Sequence, residues 1–243
     1  MNIPLLLLIL IFGHVLGDFY FQSNAMAEKK RTSFKWLAVH GIAYAACIAL
    51  ALFILVWFGG VAYSRNLLWI FALISVSHLA VDLLKKFAVK LLNHKWVFTV
   101  DQAVHFLFLI LAWWLWGRGH TIGYFIYDFA HYILIAFGLL VIIRPIGMLI
   151  ESGIIWSFNN EQMSTAQVDA SRMIGYLERI VVYFLLLNGE YSAIALVIAA
   201  KSIARFPDIK DENGYLQANY YIIGTFLSLT SVFGVTVLLG LIA

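Results

Sequence analysis

Six stretches of this chain are apolar enough, and about long enough, to cross a bilayer as helices: residues 3–21, 36–58, 67–84, 100–116, 125–143 and 220–242. A crossing helix needs about 20 such residues. In hydrocarbon every backbone polar group must be satisfied internally, which leaves helices or a closed barrel. Barrel strands alternate polar and apolar residues. The run 42–58 does not alternate, so helices are predicted. Composition agrees, because 12% of the 243 residues are charged and 63% are hydrophobic, against about 25% charged in a soluble domain. One cysteine, Cys47, rules out a disulfide scaffold and is expected in the core. A net charge of +3 is too small to mark a nucleic-acid partner.

Lys and Arg alternate between the connecting segments. The first holds Lys29, Lys30, Arg31 and Lys35; the second Arg65; the third Lys85, Lys86, Lys90 and Lys95; the fourth Arg118. Basic segments stay cytoplasmic, so the chain is expected in the cytoplasmic (inner) membrane with its N-terminus outside. Ala25, Met26 and Ala27 resemble a signal-peptidase site. The run before them lacks a basic start, so cleavage is not expected.

Ionisable residues inside the first four spans carry most of the functional information. They are His14 and Asp18, then His40, then His78 and Asp82, then Asp101 and His105, with Gln102 alongside. Three are His/Asp pairs at i,i+4, hence on one helix face. The pairs close the first and third spans and open the fourth, and the order within the pair inverts in the fourth. All seven are therefore expected in one layer at the cytoplasmic end of a four-helix bundle over 1–119. An Asp at mid-membrane costs about 2.5–3.5 kcal/mol on insertion scales, so the layer needs compensation. One solution is a divalent cation on His14, Asp18, His40, His78, Asp82, Asp101 and His105. Helix bundles build metal centres this way. Donors limited to nitrogen and oxygen suit zinc, iron or manganese. Two alternatives stay open: a proton or ion relay, and polar pairs that glue helices together. His94, His120, Asp128 and His131 are expected outside the layer.

The second half, 120–243, is expected to hold the remaining helices and a cytoplasmic loop or surface helix at 151–172. The stretch 174–204 breaks at Asn188, Gly189 and Glu190. A single crossing would strand Lys201, Arg205 and Lys210 outside. Two half-helices of about 15 residues, each covering roughly 22 Å, would instead form a re-entrant hairpin with both charged ends cytoplasmic. Glu178, Arg179, Lys201 and Arg205 would then share a membrane face with the His/Asp layer and suit an anionic substrate. In the plainer alternative Glu178 pairs with Lys201 or Arg205.

His14, Gly17, Asp18 and Phe19 with Gln22, then His78 with Asp82, then Asp101 and Gln102 with His105, resemble a bacterial integral-membrane family, domain of unknown function 3307. The second half resembles its long members in Gly175, Glu178 and Arg179, and in Lys201, Ser202, Arg205 and Phe206. A weaker likeness, at the level of pattern, is to YdjM-like membrane-bound metal-dependent hydrolases, which also place His and Asp in short membrane helices.

The expectation is thus an all-α polytopic integral membrane protein of about six to seven spanning helices, with a re-entrant hairpin at 174–204. The function expected first is a metal-dependent hydrolase. Asp18, Asp82 and Asp101 would supply ligands and a general base, and Gln22, Gln102, Glu178, Arg179, Lys201 and Arg205 would contact an anionic or lipid-linked substrate. A proton or metal-ion transporter and a non-catalytic membrane component are the alternatives.

Overall fold

The computed structural model describes residues 5–58, 63–88, 94–117, 124–158, 165–205 and 214–242. Among them are ten α-helices and no strand: α1 Leu5–Val15, α2 Asn24–Thr32, α3 Phe34–Phe58, α4 Arg65–Ala88, α5 His94–Ala112, α6 Tyr124–Ile143, α7 Pro145–Phe158, α8 Thr165–Leu187, α9 Tyr191–Arg205 and α10 Gly214–Ile242. Five described helical segments, in α3, α4, α5, α6–α7 and α10, are long and apolar enough to cross a membrane; a sixth results if α1 and α2 form one bent span. The chain divides into two compact units, 1–133 and 134–243, with the boundary inside α6.

The first unit is a ring of four helices in which α1 packs on α3, α3 on α4, α4 on α5 and α5 back on α1. Leu10, Ile48, Leu55, Ile70, Ile74 and Leu109 fill its centre. Its polarity is inverted relative to a water-soluble bundle. His40, His78 and His105 are buried, whereas Ile42, Val76 and Leu107, each two positions away, are 72%, 68% and 63% exposed. That is the arrangement expected of a protein solvated by hydrocarbon, where apolar side chains face out at no cost and polar ones must find partners inside.

Two elements depart from the expected spans. After α1 the chain winds into a π-helical turn, Leu16–Tyr20, then bends by 86° into α2. The first basic segment is therefore a helix. Ser23 caps it by accepting from the Met26 amide at 3.2 Å, the usual role of Ser at a helix start. Likewise 151–172, expected as a loop or a surface helix, is helical where it is described. Its start belongs to α7 and its end to α8, and Arg172 of α8 donates to Glu151 of α7 at 3.1 and 2.5 Å; residues 159–164 lie outside the described residues. Hydropathy marks where a chain is apolar and does not tell a polar helix such as α2 from a loop.

In the second unit α8 and α9 fold back on one another at Asn188 and Gly189. Gly189 adopts φ +73°, which glycine tolerates without a Cβ clash. The Glu190 amide donates to Leu185 O at 2.9 Å and the Gly189 amide to Leu186 O at 3.1 Å, a Schellman ending. Glu178 and Lys201 form an ion pair across the hairpin. The first arm spans 23 residues from Thr165, so it is longer than the 15-residue half-helix that its apolar part alone suggests.

Arg179 pins the break between α6 and α7. Pro145 opens α7 without an amide donor, and the guanidinium donates to Ile142 O at 2.6 Å and Ile143 O at 3.2 Å. Gly147 makes room: a Cβ there would stand 2.8 Å from the Arg179 terminal nitrogen. Replacing Arg179 by Met is expected to destabilise the detergent-solubilised protein by about 3 kcal/mol, from two lost charge-assisted hydrogen bonds. Arg179→Lys should recover only part of this, because an ammonium lacks the fork that reaches two carbonyls. Thermal unfolding of the three proteins measures both effects.

Candidate metal centre

The π turn places Asp18. Winding residues 16–20 wider than an α-helix turns Asp18 away from the position that plain i,i+4 spacing from His14 assigns it. Gly17 lets this turn lie against α3, because a Cβ there would come within 2.7 Å of the Tyr44 ring. His40 comes from the start of α3, His78 and Asp82 from the end of α4, and Asp101, Gln102 and His105 from the start of α5. All are buried, as is His14.

Two imidazoles of this layer stand between two carboxylates. His40 Nε2 lies 3.1 Å from His78 Nε2, 3.2 Å from Asp18 Oδ1 and 3.4 Å from Asp82 Oδ2. His78 Nε2 lies 3.3 Å from the same Asp18 oxygen and 3.7 Å from the same Asp82 oxygen. The i,i+4 partners are farther apart than the cross-helix ones: 3.7 Å for His78 and Asp82, and 3.6 Å for His105 and Asp101. Sequence spacing puts each pair on one face, but the shortest approaches to Asp18 come from two other helices.

Two lysines neutralise the outer carboxylates. Lys30 of α2 donates to both oxygens of Asp82, at 2.9 and 2.7 Å. Lys85 of α4 donates to Asp101 Oδ2 at 2.6 Å. Both belong to basic segments that the sequence reading used only for orientation. Tyr44 was also missed. Its ring stacks on His78 with centroids 3.5 Å apart and planes within 4°; on the other side His78 stacks on His105 at 4.3 Å. Its spacing of four residues from His40 inside an apolar helix is the signal that finds it.

A proton order follows from Gln102. Its Nε2 faces Asp18 Oδ2 at 3.3 Å and Asp101 Oδ2 at 3.4 Å, and carboxylates only accept. Its Oε1 therefore accepts from His14 Nε2, 3.3 Å away, which in a neutral imidazole leaves Nδ1 to accept from the Tyr44 hydroxyl at 3.2 Å. Both ring nitrogens of His14 are thus committed to neighbours.

The other expected site residues lie elsewhere. Gln22 follows the π turn, with its Oε1 buried and lacking a hydrogen-bond partner. Glu178 and Lys201 pair with each other and Arg179 holds backbone carbonyls, all within the second unit. The side chains of Arg205, His94 and Asp128, and the whole of His120, lie outside the described residues; His131 is exposed. Buried His/Asp groups able to hold a metal ion are His14, Asp18 and His78; His40, His78 and Asp82; and Asp82, Asp101 and His105.

Residues 6–133 match the family described as protein of unknown function, DUF3307. The chain belongs to this family. The match ends where the first compact unit ends, so it covers the whole His/Asp layer and leaves the second-half motifs outside it. No curated protein and no solved structure matches the chain.

Loss of the Gln102 amide should unbalance the layer. Gln102→Leu removes the partner of His14 and a donor to two carboxylates. It is expected to cost about 2–3 kcal/mol of stability, against about 1 kcal/mol for Tyr44→Phe. Equal thermal unfolding of the two variants would contradict the proton order above.

Proposed function

We propose that the first unit houses a divalent-metal centre and that the protein is a metal-dependent hydrolase of the cytoplasmic membrane, acting on a phosphate-bearing or other anionic substrate. The observation that carries the reading is the spacing of the donors on His40, His78, Asp18 and Asp82. Donors about 2.0–2.1 Å from a zinc ion at tetrahedral angles lie about 3.3–3.4 Å from one another, and five of the six separations among these donors, all but Asp18 to Asp82, run from 3.1 to 3.7 Å. His40, His78, Asp18 and Asp82 would hold the ion. Zinc suits this nitrogen/oxygen set ahead of iron or manganese. Such an ion supplies Lewis-acid activation of water for attack on an ester or anhydride bond.

The remaining residues position and balance the set. Gln102 orients Asp18, and His14 and Tyr44 hold Gln102 in turn. Tyr44 and His105 clamp the His78 ring so that its Nε2 faces the other donors. Lys30 and Lys85 are partly exposed and lie beside the carboxylates, where they meet an anionic group once a cation shares the carboxylate charge. They take over the anion-binding role expected of Arg179 and Lys201, which are engaged in packing the second unit. The basic segments keep this end of the bundle cytoplasmic.

Metal analysis after chelator-free purification tests the first half of the proposal. Bound divalent ion is expected in the wild type and lost in His78→Ala and Asp18→Asn; a metal-free wild type would sink it. Hydrolysis of phosphate monoesters and diphosphates in mixed micelles tests the second half. Turnover should fall to background in His78→Ala, and Lys30→Met should raise KM roughly tenfold, the effect of one charge-assisted contact. Metal-loaded protein that turns over none of these, but moves ions into vesicles until Asp18 is changed to Asn, would replace the hydrolase with a transporter.

A further inference from the structure

Beside the donors on His40, His78, Asp18 and Asp82 the layer holds a second donor set, which shares Asp82 with them. Asp101 and His105, one turn apart on α5, stand with Asp82 so that one ligand atom from each lies within 4.8 Å of the others. Two of the atoms are unsatisfied. His105 Nε2 and Asp101 Oδ1 are buried without a hydrogen-bond partner, and at 3.6 Å they stand too far apart to bond each other. The residues are 3% and 7% exposed. A buried acceptor or donor left unmade is costly, and both atoms belong to residues grouped with Asp82. His14 cannot fill the gap, because both of its nitrogens are engaged by Tyr44 and Gln102. Lys85 occupies Asp101 Oδ2 and leaves Oδ1 free.

We infer that Asp82, Asp101 and His105 form a second divalent-cation site, with Asp82 shared between the two ions. The inference rests on the metal reading of His40, His78, Asp18 and Asp82 and deepens it. Asp82 belongs to both donor sets. Each of its oxygens accepts from Lys30 and keeps a further lone pair, through which the carboxylate would bridge the roughly 3.5–4 Å between ions that two-metal hydrolytic sites use. The second set offers three protein donors, so it keeps a position open to water or substrate. Two ions flanked by Lys30 and Lys85 clamp a phosphoryl group better than one, which narrows the substrate class to phosphate esters and anhydrides.

Titration of chelator-stripped protein in detergent with Zn2+ and, for its absorption spectrum, Co2+ tests the inference. Wild type should bind two equivalents, and His105→Ala and Asp101→Asn one. Lys85→Met, which removes a competing cation from Asp101, should still bind two, with the weaker site tightened roughly tenfold. One equivalent in the wild type, unchanged in His105→Ala but abolished in His40→Ala, overturns the second site and leaves the first standing. No binding by a wild type that unfolds cooperatively overturns both. Two equivalents retained by both His105→Ala and Asp101→Asn would also overturn the assignment of these ligands. The Lys85→Met variant keeps the test decisive if the other two fail to fold.

Discussion

Three carboxylates buried at one end of an apolar helix ring are the constraint on which the first unit depends. Each is costly in hydrocarbon unless its charge is met. Lys30 meets Asp82 and Lys85 meets Asp101. Among the described residues no lysine pairs with Asp18. It is faced by two imidazoles and the Gln102 amide, so with neutral imidazoles the group of three Asp and two Lys carries one uncompensated negative charge. A cation between Asp18 and Asp82 removes that excess, and this electrostatic need points the same way as the spacing of the donors.

The helical irregularities serve the same end. A straight α1 would carry Asp18 on the face of His14 and lead the chain onward along the bundle axis. The π turn re-aims Asp18, and the sharp bend after it brings α2 across the end of the bundle, where Lys30 reaches Asp82. Gly17 admits the turn against Tyr44, and Tyr44 in turn stacks on His78. The position of Asp18, the plane of His78 and the neutralisation of Asp82 are thus linked through about a dozen residues of backbone. The second unit solves a separate problem, the helix break at Pro145, with Arg179, and its Glu178–Lys201 ion pair closes a hairpin.

Much of this was legible in the sequence because hydrocarbon is an unforgiving solvent. The helical spans, the clustering of His14, Asp18, His40, His78, Asp82, Asp101 and His105, and the reversal at Gly189 all follow from hydropathy, i,i+4 spacing and glycine's backbone freedom. Less legible were contacts set by which face of a polar segment meets the bundle. Lys30 and Lys85 read as orienting charges because their partners lie 52 and 16 positions away. Arg179 read as a substrate contact because its carbonyl partners carry no side-chain signature. Tyr44 was hidden among the aromatics of an apolar helix.

Composition and periodicity alone determined that the chain is helical, that its apolar helices suit a membrane, and which few ionisable residues must be buried together. Both are local properties, summed over about twenty residues at a time. Only the tertiary structure decided which imidazole faces which carboxylate, that His40 and His78 rather than His14 turn their nitrogens toward Asp18 and Asp82, and that Asp101 and His105 keep unsatisfied atoms. Those outcomes depend on helix rotation and on one π turn, where a displacement of an ångström exchanges one partner for another, and no one-dimensional pattern carries that information.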